Sequence, residues 1–321
     1  MQPMQAAEVD RLSYGDCKGL VNYTKALLSV AGIPSIYTEV AAGEEQRSYL
    51  AGFASFLQGN HVILCVPLQG DTVWLECTSK VAPFNYLGTF TSDRNVLLIT
   101  PGGGKITRTP SMEGSYNRRS AVFDLHESGE ASVRIETEFS GIFYFARHAL
   151  ARATPRQARQ LIQELYPLPN LEIESWEVAQ PEGDQPLTRE QLNLRARGFT
   201  NWSGDRLFLP LNPLNRLNQL PGRITERKVP VWIPESYTEE DTFEFRITDG
   251  FGAEYLPDNT TLTLPFGFFS VRTRMEEGKL IYRRVLCLNK GYYPPATAEK
   301  INEFFREVYR ADAQKAVLTM P

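Results

Sequence analysis

Groups able to do chemistry are scarce in this chain: its 321 residues include four cysteines and three histidines. Cys17, Cys65, Cys77 and Cys287 are too few and too scattered for a disulfide framework. They also lack the CxxC spacing of a structural zinc site, and so few histidines leave little room for a His-rich metal centre. No metal and no organic cofactor is expected. Excess charge is missing too. Against 38 Asp and Glu stand 34 Lys and Arg, a net charge of -4, which argues against a general nucleic-acid binder with its basic surface. No apolar run reaches the ~18 residues of a membrane-spanning helix. The start, Met1-Gln2-Pro3-Met4, has neither the basic nor the apolar segment of a signal peptide. Hydrophobic residues at 42% and charged residues at 22% are the balance of ordinary globular protein, which excludes disorder, collagen-like repeats and coiled coil. The length is enough for two domains of roughly 100–200 residues each.

The first part of the chain reads as mixed α and β. Leu20, Val21, Leu27, Leu28 and Ala31 recur at the 3.6-residue period of an amphipathic helix over 17–31. Asp16 is placed to cap it, and Gly32 followed by Pro34 ends it. A strand is expected over 35–40 and a loop over 41–59. The runs from Asn60 to Leu68 and from Thr72 to Cys77, around Gln69-Gly70-Asp71, predict a hairpin. A strand over 95–100 follows. Pro101-Gly102-Gly103-Gly104-Lys105 lacks phosphate-loop spacing and reads as a turn.

Beyond about residue 112 the pattern turns mostly β. Ala131, Val133, Ile135, Thr137 and Phe139 alternate with polar residues, as in a half-buried strand. Similar runs lie near 187–198, 242–248, 261–275 and 280–288, the last two joined by a turn at Glu276-Glu277-Gly278-Lys279. Two helices are expected, one opening at Thr154-Pro155 and one carrying Ile301, Phe304, Phe305 and Val308. The expected architecture is therefore α+β. A core over 1–112 precedes a β-rich domain over 113–321, a mainly antiparallel sandwich or pair of sheets with two short helices.

Cys17 falls in the first turn of its helix, where unpaired backbone N–H groups and the helix dipole favour a thiolate. A nucleophilic cysteine also needs a base, and His61 is the one histidine of the first region. Glu76 lies near the end of the next strand. If the hairpin loop holds two or four residues, His61 and Glu76 share a face and lie within reach; a three-residue loop would separate them. Together they would fill the roles of nucleophile, base and orienting acid. Cys65 and Cys77 read as core packing, and His126 and His148 have no acid at useful spacing.

These residues resemble the transglutaminase-like superfamily, whose core is similar to that of papain-type thiol enzymes. The resemblance lies in Tyr14-Gly15-Asp16-Cys17-Lys18 leading into a Leu27-Leu28 helix, Ala31-Gly32-Ile33-Pro34, Asn60-His61-Val62 and Trp74-Leu75-Glu76-Cys77-Thr78. It covers roughly the first 110 residues and implies Cys17 as nucleophile, His61 as base and Glu76 as orienting acid. Glu76 departs from the family's usual aspartate, being longer by one methylene. More narrowly, the chain resembles bacterial proteins that join such a core to β-rich domains on both sides. An upstream β-rich domain missing from this chain, an extracytoplasmic setting and a peptide or protein substrate are what that resemblance implies. The expected activity is thiol acyl transfer, most simply as a cysteine peptidase or amidase. The alternative is a non-catalytic cell-envelope binding or scaffold module, for which Trp202, Trp232, Tyr292 and Tyr293 are the candidate surface aromatics.

Overall fold

The computed structural model describes every residue except 1, 46, 54, 56, 182–185, 221, 223–226, 248–250, 277, 320 and 321. Glu277, in one predicted turn, therefore lies outside the described residues. The chain divides into two compact units, Met1–Glu113 and Gly114–Pro321. Its architecture is α+β with mostly antiparallel sheets and few helices.

The first unit contains α1 (Ala6–Leu12), α2 (Cys17–Val30), β1 (Ile36–Val40), β2 (His61–Leu68), β3 (Asp71–Leu75), α3 (Gly88–Thr91), β4 (Asn95–Thr100) and β5 (Gly103–Arg108). The strands form one antiparallel sheet in the order β3-β2-β1-β4-β5. α2 begins where Asp16 caps it, the Asp16 carboxylate accepting from the Gly19 N–H at 2.8 Å. It ends before Gly32, whose φ of +75° suits a residue without a Cβ. The glycine run after residue 101 is only partly a turn: Gly103 and Gly104 already belong to β5, where the Leu97 side chain fills the space a Cβ on Gly104 would need.

β2 is apolar on both faces because both are covered. Ile63 and Cys65 pack with Val40, Trp74, Val96 and Leu98 on one side. Val62, Leu64 and Val66 pack with Val21 of α2 on the other. Arg94, fully buried, ties the loops at the first face together. It donates to the carbonyls of Ala41 at 2.7 Å, Gly43 at 2.9 Å and Ser92 at 2.9 Å.

The second unit contains β6 (Tyr116–Leu125), β7 (Ala131–Ser140), a 3₁₀ turn (Gly141–Arg147), α4 (His148–Ala151), α5 (Pro155–Leu165), β8 (Leu171–Ala179) and β9 (Leu187–Ala196). There follow β10 (Asn201–Ser203), β11 (Arg206–Pro210), β12 (Val231–Ile233), β13 (Tyr237–Arg246), β14 (Gly252–Tyr255) and β15 (Thr260–Leu264). The unit closes with β16 (Gly267–Glu276), β17 (Lys279–Leu288), β18 (Gly291–Tyr293), α6 (Thr297–Asp312) and β19 (Lys315–Thr319). Eight strands form a sheet in the order β15-β16-β17-β13-β6-β7-β9-β8, and β10-β11-β19-β14 form a second. Side chains from both sheets, with Ala158 and Ile162 of α5 and Phe304 and Val308 of α6, make one core.

The large sheet is mainly antiparallel, as expected, with one parallel pairing, β13 beside β6. One expectation changes here. The apolar run over 261–275 is two strands, since Pro265 and Phe266 turn the chain between β15 and β16.

Candidate active site

β2 and β3 are joined by Gln69 and Gly70 alone, with Leu68 opposite Asp71 and Cys65 opposite Trp74. Gly70, at φ +82°, takes the left-handed conformation that so tight a connection demands. The two-residue loop sets an odd-sum register, so His61 and Glu76 share a face one diagonal apart. Their side chains meet, His61 Nε2 lying 2.8 Å from Glu76 Oε2, with 10% and 11% of each side chain exposed. The extra methylene of glutamate therefore does not prevent the contact.

The carboxylate is held on its other side as well. Glu76 Oε1 accepts from the Thr78 backbone N–H at 3.0 Å and from the Thr78 hydroxyl. Burial pushes the Glu76 carboxyl up, but the bonds from His61 and Thr78 outweigh it and keep the group below its ordinary value. The imidazole also meets the ring of Phe90 edge-on, with centroids 5.3 Å apart. With Nε2 given to Glu76, Nδ1 takes no hydrogen bond among the described residues. In the tautomer that donates to Glu76, Nδ1 carries the basic lone pair.

Cys17 is the first residue of α2. Asp16 takes the Gly19 N–H, and the Cys17 and Lys18 N–H groups have no partner among the described residues. The Cys17 side chain packs against the buried cluster of Val21, Val62, Leu64, Val66 and Val73. His61, by strand alternation, belongs with Ile63 and Cys65 on the opposite face. Accordingly, no hydrogen bond joins Cys17 to His61 among the described residues. The structure thus brings His61 and Glu76 together and sets Cys17 at the same end of the sheet. Val62, next to His61 in the chain, packs in the Cys17 cluster, and Lys18 and His61 line one cavity of about 570 Å³.

The other cysteines differ from Cys17 in setting. Burial pushes the Cys65 thiol up. It does the same to Cys77, where Glu76 adds to the effect and a bond from Thr24 opposes it. Cys287 lies 3.3 Å from the Thr238 hydroxyl in the second unit. His126 faces the Ser132 hydroxyl at 3.1 Å, and His148 packs edge-on against Phe145. Trp232 and Tyr292 stack across the β12–β18 pair with centroids 6.0 Å apart, and Tyr292 is exposed. Among the described residues no group of three or more His, Cys, Asp or Glu is placed to hold a metal ion.

Several residues that shape the site carry no sequence signal of their own. Asn60 bonds both backbone groups of Ala42, at 2.7 and 2.9 Å, and so anchors the start of β2 beside His61. Arg94 also donates to the Thr89 carbonyl at 2.6 Å, fixing the short helix that presents Phe90. Tyr37 and Glu39 line the cavity with His61. A lone arginine or asparagine is read as surface until the fold shows what surrounds it.

Comparison with known proteins adds little at this site. A family described as a domain of unknown function, DUF3858, matches residues 205–318. No curated protein matches the chain. A crystal structure from Parabacteroides distasonis ATCC 8503, described as a "putative protease", is similar over 99% of this chain at 13% identity and a TM-score of 0.49. The chain spans 46% of that structure's length. No helix among the described residues is long and apolar enough to cross a membrane.

Proposed function

We propose that the first unit is a transglutaminase-like core carrying a thiol acyl-transfer centre, with Cys17 as nucleophile, His61 as base and Glu76 as the group that orients it. The observation that carries this reading is the 2.8 Å contact between His61 Nε2 and Glu76 at the end of the sheet where α2 begins. That contact holds the imidazole with Nδ1 as the base.

In the proposed reaction the Cys17 thiol proton passes to Nδ1, and the thiolate attacks the carbonyl carbon of a peptide or isopeptide amide. The Cys17 N–H, free at the helix start, donates to the oxyanion. The tetrahedral intermediate collapses as the imidazolium protonates the departing amine, which leaves a thioester on Cys17. Water then releases the acid, which is peptidase or amidase chemistry; an amine in place of water gives transamidation. Hydrolysis is the more general outcome, since water is always present. This reading requires substrate binding to bring Cys17 and His61 into hydrogen-bonding distance, a contact they do not make in the structure.

One observation favours a second reading, a non-catalytic envelope module: Cys17 packs against the Val62–Leu64 cluster and makes no hydrogen bond to His61 among the described residues. Iodoacetamide labelling of each cysteine, mapped by peptide mass across pH, separates the two. The enzyme reading expects Cys17 to react near neutral pH far faster than Cys65, Cys77 or Cys287, and His61→Ala to slow it. Equal labelling of all four, or labelling of Cys17 that ignores His61, would leave the scaffold reading.

A further inference from the structure

In the second unit, α6 lies over the inner face of β16. Phe304 meets the rings of Phe266 and Phe269 at centroid distances of 5.5 and 6.4 Å, which closes that face near the start of the strand. Further along, Val271 and Thr273 line a cavity of about 240 Å³ together with the last turns of α6 and the chain after β14. β15 makes its last pairing at Thr260, opposite Val271, so the Thr273 backbone lies past the reach of the edge strand. The Asn259 side chain stands in for it, its Oδ1 accepting the Thr273 N–H at 3.0 Å. That bond ties down the segment on which Asp258 borders the cavity. Gln314, between α6 and β19, is held by its carbonyl, which accepts from the Leu211 N–H at 3.4 Å.

The polar groups around this cavity are left without partners. Thr273 is only 9% exposed, and its hydroxyl is buried with no hydrogen bond among the described residues. Asp258 forms no ion pair, and neither the Gln314 amide nor the Tyr255 hydroxyl forms a hydrogen bond, among the described residues. Glu307 and Arg310, by contrast, satisfy each other at 2.6 Å. A buried hydroxyl without a partner costs free energy, so a ligand that bonds to it recovers that cost. The groups on offer are a carboxylate that accepts, and an amide and two hydroxyls that both donate and accept. Val271, Leu211 and the half-exposed Tyr255 ring supply apolar surface among them. Tyrosine presents an apolar body with a polar tip.

We propose that this cavity binds one neutral pyranose unit, with the C–H face of the sugar on the Tyr255 ring and its hydroxyls bonded to Asp258, Gln314 and Thr273. Sugar hydroxyls donate and accept at once, which suits this mixed set better than an ion of either sign. The volume lies below the roughly 300–1,000 Å³ of a drug-sized site and limits the ligand to a single ring. The inference goes beyond the thiol-centre reading and does not depend on it.

The test is a titration of the full chain with the methyl glycosides of glucose, galactose, mannose and N-acetylglucosamine, following the methyl signals of Leu211 and Val271. At least one glycoside is expected to shift both signals saturably. Tetrahydropyran-2-methanol, which keeps the ring and lacks its hydroxyls, should not compete. Asp258→Ala and Tyr255→Ala, both at exposed positions, should each weaken binding at least tenfold, about 1.4 kcal/mol. Tyr255→Phe should retain most of it, because the ring face remains. Thr273→Val should weaken binding without lowering the urea midpoint, since the hydroxyl it removes has no partner in the free protein. The unglycosylated sugar, titrated in parallel, separates two sources: a site for a glycan end accepts both forms, and a site for free sugar rejects the glycoside. No saturable shift with any of the glycosides or free sugars would mean that water alone fills the cavity, and overturns the proposal. Binding unchanged by Asp258→Ala and Tyr255→Ala, or matched by tetrahydropyran-2-methanol, overturns it as well.

Discussion

Glu76→Gln removes one charge while nearly preserving shape, so it isolates what the carboxylate contributes to the His61 imidazole. In the parent, Glu76 Oε2 lies 2.8 Å from Nε2 with both side chains about nine-tenths withdrawn from solvent. A hydrogen bond to a charged partner contributes about 1.5–3 kcal/mol. That stabilisation is felt when the imidazole is protonated, which is the state paired with a Cys17 thiolate. At 1.36 kcal/mol per tenfold, the thiolate–imidazolium form should be depleted roughly 10- to 100-fold, and the amide can also donate to the ring and favour the wrong tautomer. The assay is the iodoacetamide rate of Cys17 at near-neutral pH, read by peptide mass mapping. Glu76→Gln should slow it by that factor. In a His61→Ala background the same substitution should do nothing further, because the carboxylate then has no imidazole to act through. Thr78→Val removes the hydroxyl donor to Oε1 but leaves the backbone N–H, so its effect should be the smaller of the two. A Cys17 rate unchanged by Glu76→Gln, or slowed equally with and without His61, would refute the reasoning.

Three further outcomes can be checked. Glu76 is held below its ordinary value in the folded chain, so the unfolded chain binds the extra proton first. The stability it contributes is complete above the unfolded carboxylate range and is lost as pH falls through the folded value. Glu76→Gln should therefore flatten the acid limb of urea midpoints below about pH 4.3. Asp16→Ala removes the cap of α2 at Gly19 and should cost about 1 kcal/mol in chemical denaturation. Arg284→Met leaves Asp312 and Asp241, each about 2% exposed, without the guanidinium they share. A loss of about 3–5 kcal/mol is expected from urea melts; an unchanged midpoint would mean that the cluster tolerates its own negative charge.

The candidate dyad shows where the sequence is informative. Whether His61 could meet Glu76 depended on the number of residues in the hairpin loop, and the run Leu68-Gln69-Gly70-Asp71 left that open by one residue. A shift of one would have sent Glu76 to the other face, because side chains alternate with period 2. The register with Gln69 and Gly70 alone in the loop decided it. The helix was easier: Asp16, the apolar spacing through Leu28 and Gly32 are all local signals, and α2 spans Cys17–Val30. The strands β11 and β19 and the parallel pairing of β6 with β13 had no comparable signature, since each depends on partners far away in the chain. The relation of Cys17 to His61 was not legible either. Local pattern gave each residue its helix start or strand start, but the packing of α2 on the Val62–Leu64 face placed them relative to each other.

By itself the sequence determined the α+β character, the capped helix at Cys17, the β2–β3 hairpin and the scarcity of groups able to do chemistry, because propensity, periodicity and composition are properties of neighbouring residues. Tertiary structure alone decided that Glu76 meets His61, that Arg94 is buried against four carbonyls, and that Glu39 lines a cavity with one oxygen held by Tyr49. Those outcomes depend on which faces of the sheet are covered and by what, and burial of that kind is settled only when segments distant in the chain are packed together.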